Sequence, residues 1–269
     1  MSAAWVVSIV SHGHGPQALA LLRQLAALPQ PWPARVVLTL NRPEPDHDWQ
    51  ALQAQAWPFE LVLHINQQAQ GFGANHNQAF ALYAQPLAAA GQTPAFAVLN
   101  PDVQLHGNPW PALLQALAAP GVGCVWPQQV DAQGRLQDHE RALPTPASIA
   151  ARALWFAARR LGRVRRPAPG QARHAPDWAN AAFWLVRAAA WRDIGGFDTR
   201  YFMYGEDVDF CLRLQLAGWR LAGAPVSVTH AAQRASHASL RHFLWHARSL
   251  WRLWRSPAYA AYRRMKAGA

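Results

Sequence analysis

Of 269 residues only 14 are acidic, and three of these, Glu206, Asp207 and Asp209, crowd into four positions. Neighbouring carboxylates repel one another, so such a cluster needs a reason. One reason is to complement the dipole of a following helix, for which one or two acids suffice. The other is service as a general base or a metal ligand. Asp102 follows an apolar run and Pro101, which puts its carboxylate at the ligand-facing edge of a sheet. There it can hold a divalent cation against a diphosphate, although an ordinary Asn-Pro-Asp turn explains the same residues. The loop Gly71-Phe72-Gly73 ahead of a helix can cradle phosphate or simply turn the chain. His230 closes a strand and offers a second metal ligand beside Asp102, whereas most of the 12 histidines read as surface or packing residues.

These side chains need a frame, and apolar patterning supplies one. Short apolar runs predict strands over residues 5–10, 35–40, 60–65 and 96–99. Each run stops at polar sequence: Ser11-His12-Gly13, Asn41, Asn66 and Asn100-Pro101-Asp102. Ala18, Leu21, Leu22, Leu25 and Leu28 recur at helical spacing between the first two strands, and a second helix is predicted over 74–84. Strand, helix, strand opens a parallel α/β sheet, and ligands bind beyond the carboxyl ends of such strands. Farther along, 182–186 reads as a strand and 188–194 as a helix stopped by Gly195-Gly196. A helix carrying Val208, Cys211, Leu212 and Leu216 then ends at Gly218, 219–229 reads as one or two strands, and the remainder is helical and basic. Residues 159–176, rich in Arg, Pro and Gly, read as a linker or a mobile loop over the site.

A chain of this length with 51% hydrophobic residues can bury a large core. Cys124 and Cys211 are too far apart, and too few, for a disulfide framework or a zinc site, and read as core residues. The amino terminus carries no basic leader followed by a long apolar run, and no segment is apolar enough to span a bilayer, so a cytoplasmic location is expected. The net charge of +11 divides unevenly: residues 1–150 balance at −3 and residues 151–269 at +14. The stretches 152–173 and 234–266 contain no acid and interleave Arg with Trp, Phe, Leu and Tyr, as suits an anionic surface. For residues 240–265 that surface is read as an anionic membrane; packing of the apolar side on the catalytic domain is the alternative.

Four segments together carry a resemblance: Gly71-Phe72-Gly73-Ala74-Asn75-His76-Asn77, Leu99-Asn100-Pro101-Asp102, Gly195-Gly196-Phe197-Asp198, and the run from Phe202 through Glu206-Asp207-Val208-Asp209 to Arg213. In order and spacing they resemble the family 2 glycosyltransferases of GT-A fold, particularly the rhamnosyltransferase-like branch, over residues 5 to about 255. The resemblance implies an α/β nucleotide-sugar-binding fold with a central, mostly parallel sheet flanked by helices. Its catalytic domain would span 1–235, with a nucleotide-binding half over 1–105 and an acceptor half over 106–235, followed by a basic aromatic helical extension over 236–269. Ser11, Asn41, Gly71, Asn75, Asn77, Asn100 and Asp102 would surround the donor, and Trp178, Asn180 and Ala181 would face the acceptor. Asn100 replaces the first acid of the family's Asp-x-Asp motif, which leaves Mg²⁺ or Mn²⁺ to Asp102 and His230. Asn41 stands where many relatives carry an acid.

The implied reaction is inverting transfer of a sugar, dTDP-rhamnose being the donor the branch suggests, to a saccharide in cell-surface polysaccharide synthesis. Asp207 would be the base and Glu206 the group that orients acceptor or base. The acceptor would be lipid-linked or otherwise held at the inner face of the membrane. A nucleic-acid-binding module would explain the arginines and aromatics, but not the polar strand ends of the first half, so no nucleic acid is expected. A catalytically inactive homologue would keep the fold without turnover.

Overall fold

The computed structural model describes residues 5–89, 95–151, 154, 176–230 and 240–268. The first four apolar runs are strands: β1 (Trp5–Ser11), β2 (Arg35–Leu40), β3 (Glu60–Ile65) and β4 (Ala95–Leu99). They pair in parallel in the order β3-β2-β1-β4. In β1, β2 and β4 every residue is buried except Val10 and Arg35, which are half-buried, and strands covered on both faces are expected to read as continuous apolar sequence. The helices among them are α1 (Gly15–Ala27), α2 (Trp49–Gln53), and α3 (Phe72–Ala79), which continues through a π-helical turn, Phe80–Ala84, into α4 (Gln85–Ala89).

The second half completes the same sheet. It supplies β5 (Val103–Leu105), α5 (Trp110–Ala118), β6 (Val122–Val130), β9 (Phe183–Arg187), α6 (Ala188–Ile194), α7 (Glu206–Leu216) and β10 (Arg220–His230); β7 (Glu140–Arg141) and β8 (Trp178–Ala179) form a separate small ribbon. The full order is β3-β2-β1-β4-β9-β6-β10-β5. The sheet is mixed, with four of its seven neighbouring pairs parallel. β6 escapes a sequence reading because Pro127 interrupts it and proline removes a ladder donor. The structure accommodates the ring: β9 pairs with β6 at Cys124 and Val125 before Pro127 is reached, and β10 shifts register between Ala224 and Ser227 opposite it.

Strand alternation divides the core into two layers, one on each face. Phe183 and Leu185 join Trp5, Trp110 and the leucines of α1, whereas Trp184 and Val186 join Trp191, Phe197 and Phe210. The carboxyl-terminal helices α8 (Leu240–Trp254) and α9 (Pro257–Ala267) are not a free extension, because Leu253, Tyr259 and Tyr262 are buried in the second layer. The Tyr262 hydroxyl donates to Asp177 Oδ1 at 2.8 Å, Lys266 pairs with Asp177 at 3.0 Å, and Ser256 caps α9 by accepting from the Tyr259 amide. Cys124 and Cys211 are free and buried, as core residues should be. Among the described residues no helix is long and apolar enough to cross a membrane. Almost all of the expected linker over 159–176, most of the basic stretch over 152–173, and Arg234 lie outside the described residues.

His76 sits in this core against the rings of Phe72 and Phe197, with Nδ1 2.9 Å from Ser8 Oγ. Burial depresses its pKa to about 3 from an ordinary 6.5. The unfolded chain therefore binds a proton at His76 below about 6.5 that the folded chain refuses, so this contribution to stability is complete above 6.5 and falls with pH through the window down to about 3. Urea unfolding of wild type and His76→Gln should show the stability difference shrinking by about 1–2 kcal/mol between pH 6.5 and pH 5. A difference that stays constant would mean that the ring is not held neutral by burial.

Candidate functional site

The carboxyl ends of β1, β2, β3, β4, β6 and β10 and the start of β9 bring Ser11, Asn41, Asn66, Asn100, Gln129, His230 and Asn180 to one edge of the sheet. On the β1–β3 side the polar groups hold loops. Ser11 Oγ donates to Glu44 Oε1 at 2.6 Å, and the same oxygen accepts from the Gly13 amide at 2.8 Å. Asn66 Nδ2 donates to both Asn41 Oδ1 (2.9 Å) and Asn75 Oδ1 (2.6 Å), while the Asn41 amide is bonded to both backbone polar groups of Gln70. Asn41, Asn66 and Asn75 are buried, so these amides shape the loop at 66–71. Asn66 was read only as a strand end, and Glu44 was not singled out in the sequence; Glu44 brings a carboxylate to Ser11 from three residues beyond Asn41.

The glycine loop does something that neither sequence reading anticipated. Gly71 has an ordinary φ of −68°, so it is not there for a left-handed turn. A Cβ on it would lie 2.7 Å from the Phe202 carbonyl oxygen, and one on Gly73 would lie 2.5 Å from Phe197 Cβ. The Phe72 amide donates to Phe202 O at 3.0 Å, and Asn77 bonds the Phe197 amide and carbonyl, both at 2.8 Å. Missing side chains and one bidentate amide thus clamp α3 against the segment that leads to Glu206.

Asp102 Oδ1 lies 3.4 Å from His230 Nε2, because β5 pairs antiparallel with β10 and sets His230 opposite Val103. Burial opposes the Asp102 charge, but the hydrogen bond and attraction of His230, with its own backbone amide and His14, hold its pKa below the usual value. His230 Nδ1 is 3.2 Å from Gln129 Oε1, and Gln129 Nε2 donates to Asn180 Oδ1 at 2.5 Å. Gln129 is fully buried and joins the Asp102–His230 pair to the segment carrying Asn180. With its amide nitrogen committed to Asn180, its oxygen calls for a proton on His230 Nδ1, which leaves Nε2 as the ring nitrogen facing Asp102. Asn100 donates its backbone amide to Ala182 O at 2.8 Å, which ties the β4 end to the same segment.

The acidic cluster separates into roles. Asp209 pairs with Arg213 at 2.7 Å, and Arg213 also bonds the carbonyls of Ile194 and Gly196, so Asp209 braces the fold. Tyr204 (φ 70°) and Gly205 (φ 80°) turn the chain left-handed into α7, a strained conformation for tyrosine. α8 holds that turn: the Tyr204 hydroxyl bonds His242 Nδ1 at 2.9 Å and its ring stacks on His246 at 4.3 Å. Glu206 is buried with Oε2 lacking a hydrogen-bond partner, and burial, then the adjacent Asp207 charge, push its pKa up to about 8. Asp207 remains half-buried; its desolvation raises it to about 6 against the lowering effects of the Val208 amide, Arg141 and further backbone amides. Arg141 lies 5.1 Å over the ring of Trp178, whose indole N–H bonds Ala142 O. Trp178 and Ala181 are largely buried, and Asn180 is half-buried. Arg141 and Gln129 sit on strands that the sequence reading left unassigned.

Comparison with known proteins agrees with this geometry. Residues 171–265 match the family described as glycosyl transferase family group 2. Rhamnosyltransferase WbbL of Escherichia coli is 44% identical over 80 residues, 28% of this chain and 30% of that protein. An N-acetylglucosaminyl-diphospho-decaprenol L-rhamnosyltransferase of Mycobacterium tuberculosis is 33% identical over 185 residues, 60% of this chain and 57% of that protein. The matches therefore span less than two thirds of either relative. Among solved structures, S. aureus TarS 1-349 in complex with UDP-GlcNAc superposes with a TM-score of 0.59 at 12% identity, over 96% of this chain and 69% of that one. The mannosyltransferase PcManGT from Pyrobaculum calidifontis, in complex with GDP-Man and Mn²⁺, gives 0.54 at 15% identity, over 98% and 75%. The chain is thus similar to the family 2 glycosyltransferases over its carboxyl-terminal part, to rhamnosyltransferases in sequence, and to GT-A glycosyltransferases in fold.

Proposed function

We propose that the chain transfers a sugar from a nucleoside diphosphate to a hydroxyl of a saccharide acceptor, with inversion at the anomeric carbon. The observation that carries the reading is the half-buried Asp207, raised in basicity, in the same structure as an Asp102–His230 pair at the strand ends. Asp207 takes the acceptor's hydroxyl proton as the oxygen attacks the anomeric carbon. The bond to the diphosphate breaks on the opposite face, and its electron pair leaves with the nucleoside diphosphate. Glu206, its carboxyl pushed up by burial and by the adjacent Asp207 charge, holds a proton and donates a hydrogen bond that orients acceptor or base. Trp178, Asn180 and Ala181 form the acceptor side. Ser11, with Glu44, and Asn100 line the donor side, while Asn41, Gly71, Asn75 and Asn77 keep its loops in place.

Asp102 and His230 fit a divalent cation as one oxygen and one nitrogen donor facing each other, with the His230 tautomer set by Gln129. Mg²⁺ or Mn²⁺ there would neutralise charge on the departing diphosphate. Mn²⁺ in the mannosyltransferase complex supports this assignment. Among the described residues no three metal-binding side chains cluster, so the remaining positions would fall to diphosphate oxygens and water. The relatives' names support a rhamnosyl donor such as dTDP-rhamnose and a lipid-diphosphate-linked acceptor, with the protein working at a membrane surface in cell-surface polysaccharide synthesis.

Asp207→Asn should lower single-turnover transfer by about 10²- to 10⁴-fold while donor affinity is kept. Glu206→Gln imitates the protonated carboxyl and should lose far less; the reverse ranking would exchange the two roles. Asp102→Ala should bind donor at least tenfold more weakly by titration calorimetry with Mn²⁺, with its circular dichroism unchanged. Undiminished affinity would remove Asp102 from the cation site.

A further inference from the structure

A cavity of about 260 Å³ opens between residues 199–203 and α8, apart from the Asp102–His230 edge. Its walls include Phe202, Met203 and Trp245, and three arginines border it: Arg200, Arg248 and Arg252. Arg200 pairs with Asp198 at 2.7 Å, and Arg252 lies 5.9 Å over the Tyr201 ring. Arg248 is exposed and has no carboxylate partner among the described residues. One acid against three arginines leaves the cavity positive, and beyond Asp209 the sequence contains no acid at all.

The neighbouring stripe of α8 identifies the kind of anion. Leu244, Arg248 and Trp251 follow the i, i+4, i+7 spacing of one helix face. Phe243, Leu244 and Trp251 are 64%, 58% and 59% exposed, and the Arg255 guanidinium lies 4.8 Å over Trp251. A free anion calls for no exposed leucine and tryptophan beside its site. Apolar side chains that can enter the headgroup boundary, bordered by arginines at phosphate depth, are the chemistry of an interfacial helix.

We infer that this cavity binds the phosphate of an anionic membrane lipid while Phe243, Leu244 and Trp251 enter the lipid surface beside it. The same helix holds the turn before the acidic pair: Ser249 Oγ donates to Met203 O at 3.0 Å, and Trp245 packs on Phe202 at 5.0 Å. A lipid phosphate in the cavity therefore sets Glu206 and Asp207 at the membrane surface; this consequence, unlike the binding itself, rests on the proposed transfer to a membrane-held acceptor.

The test is sedimentation of the full chain with phosphatidylcholine vesicles with and without phosphatidylglycerol. Binding should require the anionic lipid, fall about fivefold in Arg248→Gln, and fall further when Trp251→Ala is added. Arg264→Gln, exposed on α9 away from the cavity, should bind as wild type does. Equal losses for Arg248→Gln and Arg264→Gln would reduce the effect to net charge and overturn the site. Displacement by inorganic phosphate or by a single-stranded oligonucleotide, without any dependence on Trp251, would reassign the cavity to a soluble anion or a nucleic acid and overturn it as well. Transfer to a water-soluble acceptor is measured in parallel and should be unchanged in Arg248→Gln. Vesicle binding without any transfer by wild type would defeat the proposed reaction and support the lipid site.

Discussion

The Phe202 carbonyl accepts the Phe72 amide at 3.0 Å, and that approach leaves no room for a side chain on Gly71. Much of the site depends on this contact. It joins a helix of the first half of the chain to the segment that delivers Glu206 and Asp207 some 130 residues later. Gly73 admits Phe197 at the next turn, and Asn77 bonds both polar groups of the Phe197 backbone. Losing those two bonds would strand buried backbone groups at about 1–3 kcal/mol each, far more than an exposed turn residue is worth. A phosphate cradle would leave such amides turned outward; here the Phe72 amide is spent on closing the fold.

How much was legible in the sequence follows from which interactions are local. The ends of β1 to β4 could be read because parallel strands buried on both faces are continuous apolar runs, and the polar residue that stops each run is a ligand-edge residue. The two helices from Ala188 and Glu206 were legible from periodicity and glycine stops. β6 was not, because Pro127 argues against a strand unless the bulge in β10 is known. Gln129 was lost with it. The resemblance places Asn77 by the donor, but nothing near it in sequence shows that its amide also bonds a backbone 120 residues away. Glu44 is the same case, an exposed-looking acid in a proline loop whose partner, Ser11, lies 33 residues earlier.

The basic carboxyl-terminal segment shows the limit from the other side. Amphipathic spacing reveals that α8 has an apolar stripe, but the stripe does not say what covers it. The structure divides the question. His242, Trp245, His246 and Ser249 face the turn over residues 202–205, Leu253 enters the core, and Phe243, Leu244 and Trp251 remain uncovered. Packing and surface binding, posed as alternatives for this segment, can therefore both belong to one helix, on adjacent stripes.

For the acidic cluster, the direction of the shifts bears on the choice between helix capping and chemistry. A helix amino terminus stabilises a charged carboxylate by about 0.3–1 kcal/mol, less than the 1.36 kcal/mol equivalent to one pKa unit, and it acts to lower the pKa. Glu206 instead rises from an ordinary 4.5 to about 8 and Asp207 from 3.8 to about 6, first because both are desolvated. The direction is opposite to that of a cap. Burial raises Asp209 as well, but its charge is answered by Arg213 at 2.7 Å, and that partner marks it as the structural acid of the three. Two carboxyl groups kept costly to ionise at the start of a helix, behind a tyrosine in left-handed conformation, are strain that folding alone does not require. Two adjacent carboxyl groups that burial makes costly to ionise can share the work, one accepting a proton while the other holds one, a division that three equivalent capping residues would not produce.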